Sequence, residues 1–339
     1  MGGAARLKDV AAATGFSVNT VSLALRGSPR IPEETRAQIA AEAARLNYRP
    51  NHLAKALVTQ RSGSVGLILT ELTNPVLTAV AQAIETELSR RGYTTLFATS
   101  NNDRDVELKM IETFMSRRAD GILLFPCHHR ELDHVRRLRS RGVPVVLLVA
   151  EPDAGVDAVC MDERAGAYKA VSHLIAQGHR RIAIFDAADE NGNREKAEGY
   201  LKALAEAGLP ADRSLMVAPP GHDVKGGYWG MEMLMARDAG ATAVFAATDS
   251  LALGALRYCV KKGISVPRDL SIFGFDNIEF AEHAATALSS VNYDIGAVTK
   301  LAIERVVSLI EAKELPPPRV TQVEPDLVIR ESTGPYRNG

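Results

Sequence analysis

The stretch that decides the fold of the first domain reads Leu7-Lys-Asp-Val-Ala-Ala-Ala-Thr-Gly-Phe-Ser-Val-Asn-Thr-Val-Ser-Leu-Ala-Leu25. Its first eight residues are typical of a helix, and Gly15 can supply the positive φ that a tight turn between two helices needs. Ser17 can then cap the free amides of a second helix, in which Val21 and Leu25 share one buried edge. This pattern favours a helix-turn-helix, although small helical hairpins with a purely structural role also show it.

The residues that follow add a third helix and a concentration of positive charge. Ile31-Pro-Glu-Glu-Thr35 carries the proline and acids that favour a helix start, and an apolar edge follows at Ile39, Ala43 and Leu46. Up to Arg61 the chain has nine Lys and Arg against four Asp and Glu, a net charge of +5, whereas the remaining 31 bases and 37 acids give −6. Such asymmetry predicts that the first segment, up to Arg61, is an arm that binds a polyanion, whereas the rest of the chain, the body, does not.

A family resemblance rests on the order of short motifs in this arm. Asp9-Val-Ala, Gly15-Phe-Ser, Thr20-Val-Ser, Thr35-Arg and Leu46-Asn-Tyr-Arg-Pro-Asn51 resemble the headpiece of the lactose-repressor/galactose-repressor family of bacterial transcription regulators. The similarity continues almost without gaps through Leu57. It implies a DNA-binding domain at residues 1–62 with a hinge helix at about 50–58, which would pair with its twin from a second subunit.

The resemblance also implies DNA-contacting roles, residue by residue. Base contacts are expected from Val18, Asn19 and Leu23, and phosphate contacts from Ser17, Thr20, Ser22, Thr35 and Asn51. Leu57 matches the leucine that wedges into the minor groove, although a core contact of the linker is the alternative. Many relatives carry Arg at the position of Leu23. Because a leucine cannot pair with guanine in two hydrogen bonds, their base preference cannot be transferred to this chain.

Beyond Gly63 the chain alternates short apolar runs with amphipathic segments. Continuous apolar strands separated by helices are typical of parallel sheets that are covered on both faces. The set is too large for one domain and predicts two stacked α/β subdomains, with ligands binding between them. The runs are Val65–Leu69, Thr95–Ala98, Gly121–Phe125, Val143–Val149, Ile182–Phe185, Ala243–Ala247 and Ser271–Phe275.

The family resemblance extends over this body, through Asn74-Pro75, Gly178–Ile182, Gly199-Tyr200, Thr248–Ala255 and Val266–Asp276. It implies a core at 63–339 that is similar to the periplasmic binding proteins of type I, with three strand crossovers, and that binds effector and dimerises. Subdomain one would comprise about 63–162 plus 295–318, and subdomain two about 163–290 plus 320–333.

Effector-binding candidates combine strand ends with the positions that the family uses. Asp276 ends an apolar run where a carboxylate has no packing role, although it could instead cap the next helix. Lys196 stands where relatives have an arginine, and His222 where they have an aromatic, although His222 could also be a surface-loop residue. The remaining candidates are Asn74, Val149, Thr248 and Tyr293, and Asp249 can be explained as a helix cap. The set points to a small polar effector such as a sugar or sugar derivative.

Other function classes find little support. The chain has no G-x-x-x-x-G-K-[ST], no G-x-G-x-x-G behind the first strand and no G-x-S-x-G, so no cofactor is expected. The segment Cys127–His134 contains metal-capable side chains, but a solvated helix start explains it better, and no metal site is expected. Three cysteines without paired spacing suit a reducing cytoplasm. A secreted solute-binding protein would need an export signal where this chain has basic helices.

The sequence therefore predicts an all-α helix-turn-helix headpiece followed by an α/β core of two subdomains. The expected function is a cytoplasmic, non-enzymatic transcription regulator, a repressor by the family pattern. Its expected partners are double-stranded operator DNA, a small-molecule effector and a second copy of the chain, without a membrane.

Overall fold

A computed structural model describes residues 5–48, 61–186 and 194–336 of the 339-residue chain. The chain separates into two compact units, one ending at Ser62 and the other beginning at Gly63. The predicted hinge helix, with Asn51 and Leu57, lies outside the described residues. No helix in the described ranges combines the length and the apolar character that crossing a bilayer requires.

The first unit contains the helices α1 (Leu7–Thr14), α2 (Val18–Leu25) and α3 (Glu33–Arg45), where the sequence predicted them. Gly15 has a φ of +75° and ends α1, so the chain can turn directly into the next helix. The Ser17 hydroxyl accepts a hydrogen bond from the Thr20 amide at 3.0 Å and caps α2. Apolar side chains of all three helices are fully buried against one another, namely Val10, Val21 and Ile39.

The second unit contains two six-stranded sheets, which confirms the predicted fold class. The first lobe is built on the sheet of β1 (Ser64–Leu69), β2 (Thr94–Thr99), β3 (Gly121–Leu124), β4 (Val145–Leu147), β5 (Asp157–Met161) and β11 (Val320–Val323). Its strand order is β11-β5-β4-β3-β1-β2, and all pairs are parallel.

The second lobe is built on the sheet of β6 (Ile182–Phe185), β7 (Met216–Val217), β8 (Ala243–Ala246), β9 (Ser271–Asp276), β10 (Ser289–Asn292) and β12 (Asp326–Val328). Its order is β12-β10-β9-β8-β6-β7, and only β12 runs antiparallel to its neighbour. The helices of both lobes are α4 (Pro75–Arg90), α5 (Arg104–Ser116), α6 (Asp133–Ser140), α7 (Glu163–Ala176), α8 (Glu195–Glu206), α9 (Val224–Ala236), α10 (Asp249–Lys262), α11 (Glu279–Glu282) and α12 (Ile295–Glu311).

Several strands were missed in the sequence because they are short or polar. β10 reads Ser-Ser-Val-Asn, yet both of its serines are fully buried. The Ser290 hydroxyl donates to Asp249 Oδ1 at 2.6 Å, and the Ser289 hydroxyl lies 2.8 Å from that of Thr333. These hydrogen bonds satisfy polar groups that would otherwise be costly to bury, so a polar segment can occupy the sheet interior.

The chain crosses between the lobes three times, after β5, after β10 and after β11. The third crossover corrects a predicted boundary, because residues 320–323 were assigned to subdomain two. They pair instead with β5 of the first lobe, from Val320 opposite Ala158 to Val323 opposite Met161. The crossover therefore lies at 324–325. Backbone pairing with a distant strand decides this placement, and the sequence Val-Thr-Gln-Val does not reveal it.

Candidate functional site

A cleft of about 290 Å³ lies between the two lobes, at the carboxyl ends of their parallel strands. Open α/β sheets bind ligands at this edge, because the loops that follow the strands converge there. The first lobe contributes Thr70, Glu71, Asn74, Leu77, Asn102, Phe125, Pro126, Cys127, His129, Leu148, Val149 and Met161. The second lobe and the crossover segment contribute Glu163, Asp186, His222, Thr248 and Tyr293.

The residues that line the cleft form its wall. Five of the seven predicted effector residues belong to this wall: Asn74, Val149, His222, Thr248 and Tyr293. Asn74 Oδ1 accepts a hydrogen bond from the Val76 amide at 2.9 Å, which fixes the side chain of this residue at the cleft. Thr248 accepts from the Leu251 amide and donates to the His222 carbonyl, both at 3.2 Å. Thr248 thereby caps α10 and fixes the His222 loop at the cleft edge.

The hydroxyl of Tyr293 is an unusual feature of the wall. The side chain is only 8 % exposed, and its hydroxyl is buried without a hydrogen-bond partner among the described residues. Burial raises the pKa of Tyr293, so the group stays protonated. A buried unpaired hydroxyl costs roughly 1–3 kcal/mol. A polar ligand in the cleft could provide the missing partner.

The other two predicted residues, Lys196 and Asp276, lie next to the wall and are not among the residues that line the cavity. Lys196 Nζ donates to the Ala247 carbonyl at 2.8 Å and lies 3.8 Å from Glu163 Oε1. Burial opposes its charge, but the carboxylates of Glu163 and Asp276 raise its pKa, so it remains an ammonium. Direct contact of Lys196 or Asp276 with an effector stays a prediction.

Asp276 has a backbone conformation that side-chain-bearing residues rarely adopt, with a φ of +112°. Strained residues of this kind concentrate at functional sites, where surrounding contacts hold them. Burial raises the pKa of Asp276 well above its usual range, and the Lys196 ammonium opposes that shift. The alternative that Asp276 caps the next helix is wrong, because α11 starts after Ile278 and has no side-chain cap.

Asp249 also differs from its predicted role as a cap of α10, because the Thr248 side chain is the cap. The Asp249 carboxylate is fully buried and accepts hydrogen bonds from the Ile278 amide at 2.9 Å and the Ser290 hydroxyl at 2.6 Å. Burial raises its pKa to about 7. Asp249 therefore joins α10 to the segments that follow β9 and form β10.

The segment Cys127–His134 does contain a helix start, since α6 begins at Asp133, but only part of the segment is solvated. His134 is 5 % exposed, and its Nε2 lies 2.8 Å from Oε1 of the buried Glu107. The Cys127 amide donates to Glu107 Oε2 at 2.7 Å, and burial raises the pKa of the Cys127 thiol to about 12. Glu107 thus anchors the loop that carries Pro126–His129 into the cleft. Within the described residues no cluster of His, Cys, Asp and Glu could hold a metal ion.

Sequence reasoning missed several acidic wall residues, although a signal was present. Asp186 directly follows the apolar run Ile182–Phe185, as Asp276 follows its own run. Glu163 lies two residues after the buried strand β5 and begins α7. Polar residues at the carboxyl ends of buried strands indicate such an edge, and the rule that selected Asp276 would have selected Asp186.

The acidity around the cleft predicts a pH-dependent stability. Burial, followed by the charges of Glu163 and Glu151, raises the pKa of Glu195 from 4.5 to about 8. Its stabilising contribution is therefore complete below pH 4.5 and is lost as the pH rises towards 8. We expect the unfolding free energy to fall across this window by up to about 1.4 kcal/mol per pH unit from this group.

Chemical denaturation of Glu195→Gln between pH 5 and 9 tests this expectation. The neutral side chain should flatten the slope and make the variant more stable than the wild type at the alkaline end. Glu206→Gln, at the exposed end of the same helix, is the matched control and should keep the wild-type slope. Parallel slopes for Glu195→Gln and the wild type would show that Glu195 ionises normally.

The predicted DNA-binding face is exposed on the first unit. Val18 is 47 % exposed, Asn19 is exposed and Leu23 is half-buried along α2. The hydroxyls of Ser17 and Thr20 lie 2.8 Å apart at the start of this helix. Ser22 Oγ accepts a hydrogen bond from the Arg26 guanidinium at 2.7 Å, and Thr35 lies half-buried in α3. The positions of these side chains do not test whether they contact DNA, so the assigned roles stay predictions.

Leu23 predicts a base preference that differs from that of relatives with Arg at this position. An apolar side chain there can pack on a thymine methyl, and neighbouring Asn19 can pair with adenine. We expect Leu23→Arg to shift selection towards G·C at one position, by roughly 1–3 kcal/mol. Selection from randomised duplexes measures this, with Leu23→Met as the control that should keep the wild-type site. Identical sites for Leu23→Arg and the wild type would mean that residue 23 does not reach the bases.

Comparisons with known proteins agree with this architecture. The family described as bacterial regulatory proteins, lacI family, matches residues 6–51, and the periplasmic binding protein-like domain matches 171–333. Among solved structures, a complex of the transcriptional regulator CelR with cellobiose is 29 % identical with a TM-score of 0.69, covering 97 % of this chain and 99 % of that one. The lac repressor dimer bound to operator is 21 % identical with a TM-score of 0.87, covering 98 % and 100 %, and shows the shared fold.

Two full-length relatives extend the match over nearly the whole chain. Catabolite control protein A of Priestia megaterium is 31 % identical over 331 residues, covering 96 % of this chain and 98 % of that protein. The HTH-type transcriptional regulator GalR of Escherichia coli is also 31 % identical over 331 residues, covering 97 % and 95 %. With its helix-turn-helix unit and its two-lobed core, this chain belongs to the LacI family of bacterial transcription regulators.

Proposed function

We propose that this DNA-binding regulator is a cytoplasmic repressor without enzymatic activity, and that it acts as a homodimer on a two-fold symmetric operator. A small polar effector, a sugar or sugar derivative, would bind between the lobes and change operator affinity. Relatives support this proposal by their names: PurR of Glaesserella parasuis and the ribose operon repressor of Haemophilus influenzae are each 30 % identical. The CelR complex contains cellobiose, and the lac repressor dimer is bound to operator.

The cleft between the lobes is the observation that supports the proposed binding of an effector. Side chains of both lobes form its wall, so a ligand that touches both would favour one relative position of the lobes over others. The unpaired hydroxyl of Tyr293 belongs to the segment that crosses between the lobes, between β10 and α12. A ligand bonded to it would therefore act where a change of lobe position is transmitted along the chain.

The proposed division of labour follows the two units. Residues 1–62 would bind DNA and 63–339 would bind effector and dimerise. In the first unit, the exposed face of α2 would read bases, the hydroxyls at its start would bind phosphates, and Asn51 and Leu57 would contact the backbone and the minor groove. In the second, the five wall residues predicted from sequence would contact effector, together with Lys196 and Asp276.

Selection from randomised DNA duplexes with the full chain tests this function. A dimeric helix-turn-helix regulator should enrich inverted half-sites, with an affinity that falls steeply as salt is raised. Titration with sugars should then change binding to the selected operator. A solute-binding protein without a DNA role is the alternative, and it would enrich no sequence while still binding its ligand. That outcome would refute the proposal.

A further inference from the structure

The edge of the first lobe that lies opposite the cleft carries a row of arginines. The strands of this sheet run parallel, so their amino ends meet at that edge, together with the ends of the helices that precede them. Arg90 and Arg91 precede β2, Arg117 and Arg118 precede β3, and Arg141 precedes β4. We call these five arginines the basic edge.

The acids at the same strand starts do not balance this charge. The seven residues before each of β1, β2, β3 and β4 include seven arginines and two acids, a net charge of +5, although the chain beyond Arg61 has a net charge of −6. The two acids are engaged, since Glu87 is ion-paired with Arg91 at 2.9 Å and Asp120 accepts a hydrogen bond from the Gly63 amide at 2.8 Å. The positive charge is therefore a local excess in an acidic body.

Three guanidinium groups of the basic edge have no role in holding the described part of the core together. Arg117, Arg118 and Arg141 are exposed, and their side chains make no hydrogen bond or ion pair with any residue that the structure describes. Further along the edge the charges are matched, because Asp157 at the start of β5 binds both Arg139 and Arg305. The unmatched guanidinium groups are thus concentrated before β3 and β4.

The second lobe provides an internal comparison. The seven residues before each of β6, β7, β8 and β9 include five arginines and three acids, a net charge of +2. Cations at helix ends complement the helix dipole in both lobes, so that effect does not distinguish them. In the second lobe, however, every one of these arginines except Arg213 is bonded to a carbonyl or a carboxylate, namely Arg180, Arg181, Arg237 and Arg268.

The chain from the first unit enters the core within the basic edge. The Gly63 carbonyl accepts a hydrogen bond from the Thr94 amide, and the Ser64 carbonyl accepts one from the Asp120 amide, both at 2.8 Å. The entry point therefore lies between the starts of β2 and β3. Leu57, which we propose enters the minor groove, precedes Gly63 by six residues. Even fully extended, such a segment spans at most about 22 Å, so the basic edge is tethered close to bound DNA.

The dimensions of the basic edge also suit a DNA strand. Neighbouring strands of a sheet lie about 4.8 Å apart, so the starts of β2, β1, β3 and β4 span roughly 15 Å. A DNA strand carries one phosphate per roughly 3.4 Å of helix axis, and the edge therefore matches about four successive phosphates. Guanidinium groups can donate two parallel hydrogen bonds to each phosphate.

We propose that the basic edge is a second DNA-binding surface, at which Arg117, Arg118 and Arg141 bind phosphates of the operator while the first unit reads its bases. This inference rests on the proposed DNA-binding function and extends it from residues 1–62 to the core. Contacts with phosphates carry no sequence information, so the basic edge raises affinity without changing base preference.

Removal of charge from the full chain tests this contact. Arg117→Gln/Arg118→Gln takes four positive charges from a dimer, and each lost phosphate contact lowers the slope of log affinity against log salt by about 0.9. We expect operator binding that is roughly tenfold weaker or more, and a slope smaller by about 2 or more. Fluorescence anisotropy on the selected operator at several salt concentrations measures both. The selected half-sites and the melting temperature should not change, because the two side chains are exposed and contact no base.

Two further variants separate a local contact from a general effect of charge. Lys202→Gln/Arg213→Gln removes the same charge from exposed positions of the second lobe, and it should keep the wild-type affinity and slope. Arg117→Lys/Arg118→Lys keeps the charge and should retain most of the affinity. Equal losses in the variants of the two lobes would refute a contact at the basic edge, as would a lysine variant that binds as weakly as the glutamine variant.

The outcome for the operator distinguishes this inference from the proposed function. If the wild type binds its selected operator and Arg117→Gln/Arg118→Gln binds it with the same affinity and slope, the inference is wrong and the proposed function stands. The basic edge would then serve an acidic protein or no partner. If the full chain enriches no DNA sequence, the proposed function fails, and this inference fails with it.

Discussion

A fragment that begins at Gly63 is expected to stay folded and to lose at least about 1000-fold in operator affinity, because specific binding commonly exceeds non-specific binding by that factor or more. The three helices and the local charge of +5 precede this residue, and the rest of the chain carries −6. The charge of the first unit doubles in a dimer, so binding by the intact chain should weaken steeply with salt.

Gel shifts on a selected operator measure the loss, and thermal melting with effector titration shows whether the fragment is folded. The structure supports its independence, because both sheets and their covering helices lie within the unit that begins at Gly63. The intact chain in high salt is the internal comparison, since it should approach the affinity of the fragment. A folded fragment that still binds operator specifically would show that the DNA-binding unit has been misplaced.

Gly227→Ala is expected to have the largest effect on stability. A Cβ at this position would lie 2.0 Å from the Leu251 carbonyl oxygen, and one at Gly254 would lie 2.1 Å from the Val224 carbonyl oxygen. These are backbone atoms of α9 and α10, so the helices must separate to admit a methyl group. Overpacking of this kind typically lowers the free energy of unfolding by about 1–3 kcal/mol and sometimes by more. Because the neighbouring atoms here belong to the backbone and cannot move aside easily, we expect a loss of about 3 kcal/mol or more.

Denaturation in urea measures this loss, and effector binding should weaken with it. The starts of the two helices carry His222 and Thr248 to the cleft, so moving the helices apart displaces part of the wall. Gly296→Ala in α12 is the matched control, because the nearest atom to its new Cβ would be 3.4 Å away. It should be neutral or slightly stabilising, since Ala favours helix more than Gly does. A comparable loss in both variants would argue against close helix contact as the cause.

Much of the first unit could be predicted because its signals are local. The turn glycine Gly15, the cap Ser17 and the apolar spacing of Val21 lie within a few residues of the bonds and contacts that they make. Helices depend on hydrogen bonds between near neighbours in sequence, so such patterns are informative. The apolar runs of the core were equally visible, and they yielded the two-lobed fold class before any pairing was known.

The apolar runs did not show which neighbour each strand pairs with in its sheet. The polar β10 is stabilised in the sheet interior by Asp249 and Thr333, which lie about forty positions away in sequence on either side. Likewise β11 belongs to the first lobe only because its backbone pairs with β5. Such choices depend on contacts between segments that meet only after folding, and no short window of sequence contains them.

The cleft separates most clearly what the sequence predicts from what only the folded chain determines. Strand-end positions together with the family pattern selected Tyr293 and Asp276 and indicated a polar ligand. The folded chain decided that Lys196 bonds to the Ala247 carbonyl and that Glu163 and Asp186 face the cavity. The charge that a ligand meets depends on which side chains are exposed to the cavity and which are paired behind it. That distribution arises from packing of two lobes whose segments are interleaved in sequence, so it exists only in the tertiary structure.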